Sequence, residues 1–278
     1  MAMNTRLDAA DYRLQADGVV EKRRRSRYIS GGVYALLLGL VIWSVDVTII
    51  QDTDWERMGS LGQVLESVNR FIGFDAGVFS DLLVPTIETL LIACFGTFLG
   101  LILCIPAAWF GAMNITPYKP VTYPLARLMM TLSRSIHEIV WALFFVSVVG
   151  LGAMAGVLAI AVRSVGFIAK MTAEAIEDID YGPVEAIRAV GGSPFQVILY
   201  AILPQVLPQI VSVVIFEWEI NIRRSAVLGL VGAGGLGLVF FRQMNTYNYH
   251  GVTTVILAIL LIIIVGEVVS YFIRRRLI

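Results

Sequence analysis

Charged and strongly polar side chains stand in this chain where its apolar character gives least reason to place them. Arg134, His137 and Glu138 fall inside one long apolar run, Arg163 in the next, and Glu217, Asn221 and Arg224 in a third. On insertion scales a charged side chain near a bilayer centre costs about 2.5–3.5 kcal/mol, so such groups face a protein interior or water rather than lipid. Spacing sorts them onto faces. Glu217, Asn221 and Arg224 lie on one helix face, as do Arg163, Lys170 and Glu174. Arg127, Arg134, His137, Glu138 and Trp141 mostly share another, and Glu219 pairs with Arg223 beside the Glu217 face. Two chemistries fit this pattern. Guanidiniums along a polar path would lower the barrier to an oxyanion, and the same charges would equally serve as interhelical ion pairs that fix bundle register. Arg134, Arg163 and Arg224 suit both, Glu138 and Glu217 read as their neutralising partners, and His137 reads as a packed or gate-lining group. No catalytic pair and no metal cluster emerges, since the only other histidine is His250, at the outer end of the last apolar run.

Gly232, Gly234 and Gly237 satisfy the pattern Gly-x-Gly-x-x-Gly. A dinucleotide site needs a preceding strand, a following helix in a βαβ unit and an acid about 20 residues on, whereas this triplet lies between two apolar runs. A broken or re-entrant segment over 223–237 is the better reading, because irregular backbone at membrane depth is tolerated where it lines a cavity or is covered by protein. The chain has no Gly-x-x-x-x-Gly-Lys-Ser/Thr phosphate loop, so no ATP hydrolysis and no cofactor of its own is expected.

The elements that must position these groups are membrane spans. Of 278 residues, 58% are hydrophobic and 15% charged, with a mean hydropathy of +0.80, against about 25% charged in a soluble domain. Lys plus Arg and Asp plus Glu are balanced at 21 each, which gives no field for nucleic acid. Cys94 and Cys104 share one run and, if helical, stand roughly 15 Å apart, too far for a disulfide. The first apolar run lacks a cleavage site and reads as a retained span. Spans are expected near 28–50, 84–111, 123–150, 153–176, 204–223 and 250–273, each close to or above the roughly 20 residues that cross a bilayer. A basic run at 22–27 and Arg274-Arg275-Arg276 flank the set; an even number of crossings puts both on the cytoplasmic side, as basic flanks require. The organisation is therefore a basic tail over 1–27, a first span over 28–50, an outer segment over 51–83, a core over 84–273 and a tail over 274–278. Leu61, Leu65, Val68 and Ile72 recur at helical spacing in the outer segment, as in an interfacial helix, although a plain structured loop fits nearly as well. Gly150-Leu151-Gly152 makes a tight outer turn between two antiparallel neighbours.

Residues 177–203 interrupt the apolar pattern as a protruding knob. Pro183 fits a first helical turn, and Glu185 in that turn complements the helix dipole. Gly191-Gly192 ends this piece in a bend open to positive φ. Ser193-Pro194 restarts a second piece. Pro204 then opens span five, and Pro208 kinks it. Over 185–204 the sequence resembles the EAA loop of ABC importer permeases. Glu185, Ala186, Gly191, Leu203 and Pro204 fall in register, with Ile187 for the second Ala and Ala201 where Ile is usual. Arg134-Ser135-Ile136-His137-Glu138, Leu203-Pro204-Gln205-Val206-Leu207-Pro208, Arg224-Ser225-Ala226 and Val231-Gly232-Ala233-Gly234-Gly235 resemble the phosphonate-type branch of that family.

The resemblance implies an all-α bundle of about six transmembrane helices of the MetI-like, type I importer kind, in the bacterial inner membrane, carrying phosphonate, phosphite or a related oxyanion. It implies Glu185, Ala186, Gly191, Gly192, Leu203 and Pro204 as the ATPase-coupling set. The gate or translocation path would take Arg134, His137, Glu138, Arg163, Glu217, Asn221, Arg224, Ser225, Gly232, Gly234 and Gly235. The implied partners are a second copy of the chain, a cytoplasmic ABC ATPase dimer that holds ATP and Mg, a periplasmic substrate-binding protein and membrane lipid. An ion-gradient-driven secondary transporter for a small anion is the alternative; the interrupted spans it should show in corresponding positions of two halves are not seen.

Overall fold

A computed structural model of the chain describes residues 29–52 and 60–277; the basic tail expected over 1–27 and the end of the tail at 278 lie outside the described residues. The described chain is helical throughout. It divides into two units, Met1–Ser67 and Val68–Ile278. In the first, helix α1 (Ile29–Gln51) is apolar along its length and has none of its hydrophobic stretch buried. By length and composition it is a candidate membrane span.

The second unit is the bundle. Helix α2 (Leu61–Asn69) lies mostly in the first unit; from the short helix α3 (Ala76–Ser80) the second unit runs through α4 (Leu83–Gly111), α5 (Lys119–Ser135), α6 (Glu138–Val149) and α7 (Ala153–Glu177). Then follow α8 (Tyr181–Ala189), α9 (Pro194–Val197), α10 (Leu203–Leu228), α11 (Gly235–Asn245) and α12 (Tyr249–Leu277). The interfacial helix expected to reach Ile72 stops at Asn69, where the backbone turns.

Helices α4 and α7 form the spine. Between apolar helices in lipid, attraction comes from close packing, so small residues belong at the contact. Gly96 and Gly100 lie one turn apart, and a Cβ on either would stand 2.6 Å from the Ile160 side chain or 2.8 Å from Ser164 Cβ. Ala159, packed with Ile92, and Ala169, packed with Cys104 and Ala108, continue the seam, fully buried. Helix α5 approaches α7 just as closely: a Cβ on Gly166 would sit 2.6 Å from the Met130 carbonyl.

Two expected boundaries need correction. The span drawn over 123–150 is two helices, α5 and α6, bent by 90° at 136–137. Ile136 is extended (φ −83°, ψ 128°), and His137 caps α6 with its imidazole Nδ1, which accepts from the Ile139 N–H. Ser133 in the last turn of α5 leaves its own helix to bond α7, donating to the Val162 carbonyl and accepting from the Gly166 N–H at 3.1 Å. The cap and this anchor replace the helical hydrogen bonds the bend removes. Pro204, for its part, does not open span five. Helix runs unbroken from Pro194 to Val231, through a widened π turn at Ile198–Ile202 in which the Leu203 N–H reaches back to the Ile198 carbonyl. Pro204 has no N–H for the Tyr200 carbonyl and its ring crowds that group; the wider turn accommodates the conflict without ending the helix.

Candidate functional site

At the centre of the bundle α4, α7 and α10 meet on a polar cluster. Glu217, Asn221, Ser164 and Ser225 are completely buried and Thr97 nearly so. The Asn221 amide donates to Thr97 Oγ1 and Ser164 Oγ, both at 2.9 Å; the Ser164 hydroxyl donates to Glu217 Oε1 at 3.0 Å. Arg224 closes the cluster, its NH1 donating to Glu217 Oε1 at 2.7 Å and to Asn221 Oδ1 at 2.9 Å. Buried charge is tolerable only when paired and hydrogen-bonded, and this cluster meets that condition at every atom but one: Glu217 Oε2 has no hydrogen-bond partner among the described residues. Ser225 turns away, donating to the Ile222 carbonyl within its own helix.

The bend between α5 and α6 brings a second set against this one. Glu138, in the first turn of α6, reaches Arg163 Nε at 3.0 Å with one oxygen and Arg224 Nε at 3.6 Å with the other. The Arg163 contact is an ion pair without hydrogen-bond alignment. Arg163 NH1 donates to the Arg134 carbonyl at 2.8 Å, which ties α7 to the last turn of α5. His137 Nε2 lies 3.8 Å from Glu138. Arg134 and His137 are exposed, and Arg134 makes no ion pair among the described residues. Of the residues sorted by spacing onto the same faces, Arg127, Lys170, Glu174 and Glu177 assemble elsewhere. Arg127 meets Glu177 at 2.8 Å and Glu174 at 3.6 Å, near the ends of α4 and α7. Glu219 binds Arg223 at 3.1 Å and Arg274 at 2.7 Å, joining α10 to α12.

The glycine segment is a backbone joint. Helix α10 ends in a tight turn at Gly229–Val231, then Gly232, Gly234 and Gly235, the first residue of α11, all take positive φ (88°, 83° and 69°). The joint is gripped from α4 and the turn before α7. The Gly152 N–H donates to the Gly232 carbonyl at 2.9 Å, and the Leu236 N–H to Thr89 Oγ1 at 2.8 Å. A Cβ on Gly234 would collide with Glu88 Oε1 at 2.5 Å. Gly229 and Gly237 touch backbone to backbone, a Cβ on Gly229 falling 2.6 Å from Gly237 Cα.

The knob stands apart from all of this. Asp180 caps α8, its carboxylate accepting from the Gly182 N–H at 3.0 Å. Gly191 (φ 82°) and Gly192 close the helix, their N–H groups donating to the Arg188 and Ile187 carbonyls. Ser193 and Gln196 then form a reciprocal capping box at the start of α9. Val184 and Val197 are buried and root both pieces in the core. Gln205 staples the base, accepting from the Asp180 N–H at 2.9 Å and donating to the Ala201 carbonyl at 2.8 Å. Glu185, Ala186, Gly191, Leu203 and Pro204 are exposed, Gly192 half-buried, and the tip shows apolar Val190 at 85% and Phe195 at 70% exposure.

Sequence reasoning missed Thr97, Ser164, Glu88 and Thr89. The close glycine pair flanking Thr97 and the position of Ser164 beside Arg163 were the available signals; Glu88 and Thr89 carried none, because only the fold brings them to the glycine joint.

Residues 97–278 match the family described as the binding-protein-dependent transport system inner membrane component. The chain is 40% identical over 192 residues to the phosphite transport system permease protein PtxC of Stutzerimonas stutzeri, covering 69% of this chain and 70% of that one. It is 38% identical over 206 residues to the phosphate-import permease protein PhnE of Mycolicibacterium smegmatis, covering 74% of this chain but only 38% of that longer protein. Among solved structures it resembles a chain of the MetNI methionine ABC transporter in an inward-facing form, with a TM-score of 0.65 at 25% identity, over 74% of this chain and 100% of that one.

Proposed function

This chain belongs to the binding-protein-dependent transport system inner membrane components, and from that premise we infer how it works as the permease subunit of an ABC importer for phosphorus compounds. The cargo is phosphite, phosphonate or a near relative, the oxyanion class named for its relatives. Two copies of the chain would pair, each offering one knob to one cleft of an ATPase dimer, with ATP and Mg held by that partner and both chain ends on its side of the membrane. A periplasmic binding protein would deliver the oxyanion to the opposite mouth.

One observation carries the coupling role: a helix-turn-helix, capped at both ends of α8 and at the start of α9 and rooted by Val184, Val197 and Gln205, that leaves Val190 and Phe195 bare. Large exposed apolar groups on a rigid projection suit a protein surface. Because α9 runs on as one helix into α10, a push on the tip is delivered along the helix that bears Glu217, Asn221 and Arg224 and ends at the glycine joint. Closure of the ATPases would thus move the buried cluster and the outer gate together.

The test is ATP-driven phosphite uptake by the reconstituted complex carrying Gly191→Pro or Glu185→Lys. Both should abolish uptake, and Glu185→Lys should also weaken co-purification of the ATPase. Normal uptake by Gly191→Pro in membranes that retain the ATPase contradicts the assignment of the knob.

A further inference from the structure

Resting on the reading of this chain as a permease for phosphorus oxyanions, we propose that Arg163 and Arg224 form a two-guanidinium station for the anion in transit, in which the Glu138 carboxylate is an internal stand-in that substrate displaces. Both arginines are held from behind and leave the same edge free. Arg224 is anchored through NH1 on Glu217 and Asn221, and Arg163 through NH1 on the Arg134 carbonyl. Each then turns its Nε edge to a single carboxylate, at 3.0 and 3.6 Å. Two guanidiniums sharing one two-oxygen edge is the arrangement that receives an edge of a tetrahedral phosphorus oxyanion, whose oxygens make charge-assisted bonds of the same kind.

The occupant is loosely held. The Arg163 pair lacks hydrogen-bond alignment, and the Arg224 pair is longer than its contact with Glu217 by almost an ångström. Glu138 also sits beside the 90° bend, where a rotation of α6 withdraws it while α7 and α10 stay packed on the spine. Depth and charge agree with transit. Arg163 lies ten residues from the start of α7 at Ala153 and Arg224 seven from Val231, about 15 and 10 Å along their helices, inside a hydrocarbon core about 30 Å thick. Arg134 and His137 on the same bend are exposed, and such groups at membrane depth favour protein or water over lipid as the neighbour of this face. With Arg134 the set holds three guanidiniums against the carboxylates of Glu138 and Glu217, one positive charge in excess, which an entering anion offsets.

The reconstituted importer, with its ATPase and binding protein, carries the test; the readout is phosphite moved per ATP hydrolysed. Arg163→Gln should lower that ratio at least tenfold. The deciding variant is the paired Glu138→Gln/Arg163→Gln, which removes both partners of the bridge. It should recover the melting temperature lost by Arg163→Gln yet stay at least tenfold down in phosphite per ATP, because one guanidinium of the station is gone. Return of the ratio to within about twofold of the unaltered complex makes the trio a brace between helices and overturns the proposal. An unaltered complex that assembles and hydrolyses ATP without moving phosphite contradicts instead the permease reading on which the station rests.

Discussion

Asn221 illustrates what one side chain does at the bundle centre. Its amide holds hydroxyls from two other helices, and its carbonyl oxygen accepts from Arg224. Asn221→Leu takes away one of the two acceptors of Arg224 NH1, leaving Glu217, and removes the donor to Thr97 and Ser164. Leaving buried polar groups unpaired costs about 1–3 kcal/mol, read as a lowered denaturant midpoint of the purified chain in detergent. Glu217→Ala should cost more, about 3–5 kcal/mol, because it leaves a buried guanidinium without its main carboxylate; an unchanged midpoint for Glu217→Ala contradicts the role given to the cluster. At this scale the sequence was partly legible. Periodicity grouped Glu217, Asn221 and Arg224, because a helix face is a local property. It could not distinguish Glu174, which pairs near the end of α7, from Glu138, which crosses to two other helices, because that depends on packing between segments far apart in sequence.

Among the elements, the knob and the glycine joint make opposite demands of their glycines. Gly191 has positive φ and open space around it, so Gly191→Ala meets only backbone strain, about 1–2 kcal/mol, and Gly191→Asn, which tolerates that conformation, should cost less and keep uptake near normal. Gly229 has ordinary φ but no room: a Cβ would lie 2.4 Å from the Gly234 carbonyl oxygen. Gly229→Ala should therefore abolish folding of the joint, measured as loss of detergent-stable protein, while Gly191→Asn expresses normally. At α3 the first cause of a lowered Asp75 pKa is the Asn248 amide, followed by the Val78 N–H of the helix Asp75 caps. A depressed carboxyl contributes its stabilisation above its ordinary titration range and loses it as pH falls through the lowered value. The protection factors of the amides over 76–80 should thus fall in acid, and Asp75→Asn should remove that acid-dependent step. The turn chemistry of the knob was readable from Ser193, Pro194 and the two glycines since caps are local. The 90° break at 136–137 was not, because no Pro or Gly marks it; it is made by the His137 cap and by Ser133 bonding across to α7.

For the molecule as a whole, hydropathy located the spans and the polar interruption, because the bilayer acts on composition along the chain. What it hid is continuity: α9 and α10 form one helical rod from the knob to the glycine joint, by way of the buried cluster. The central claim is that this rod receives its push from an ATPase on the inner side. Val190, at the tip, tests it most directly. In a chain with Cys94→Ser and Cys104→Ser, a Val190→Cys variant should cross-link to the ATPase subunit in membranes. It should also resist a membrane-impermeant thiol reagent applied to intact cells and react once the inner face is opened. Labelling of that position from outside intact cells contradicts the account.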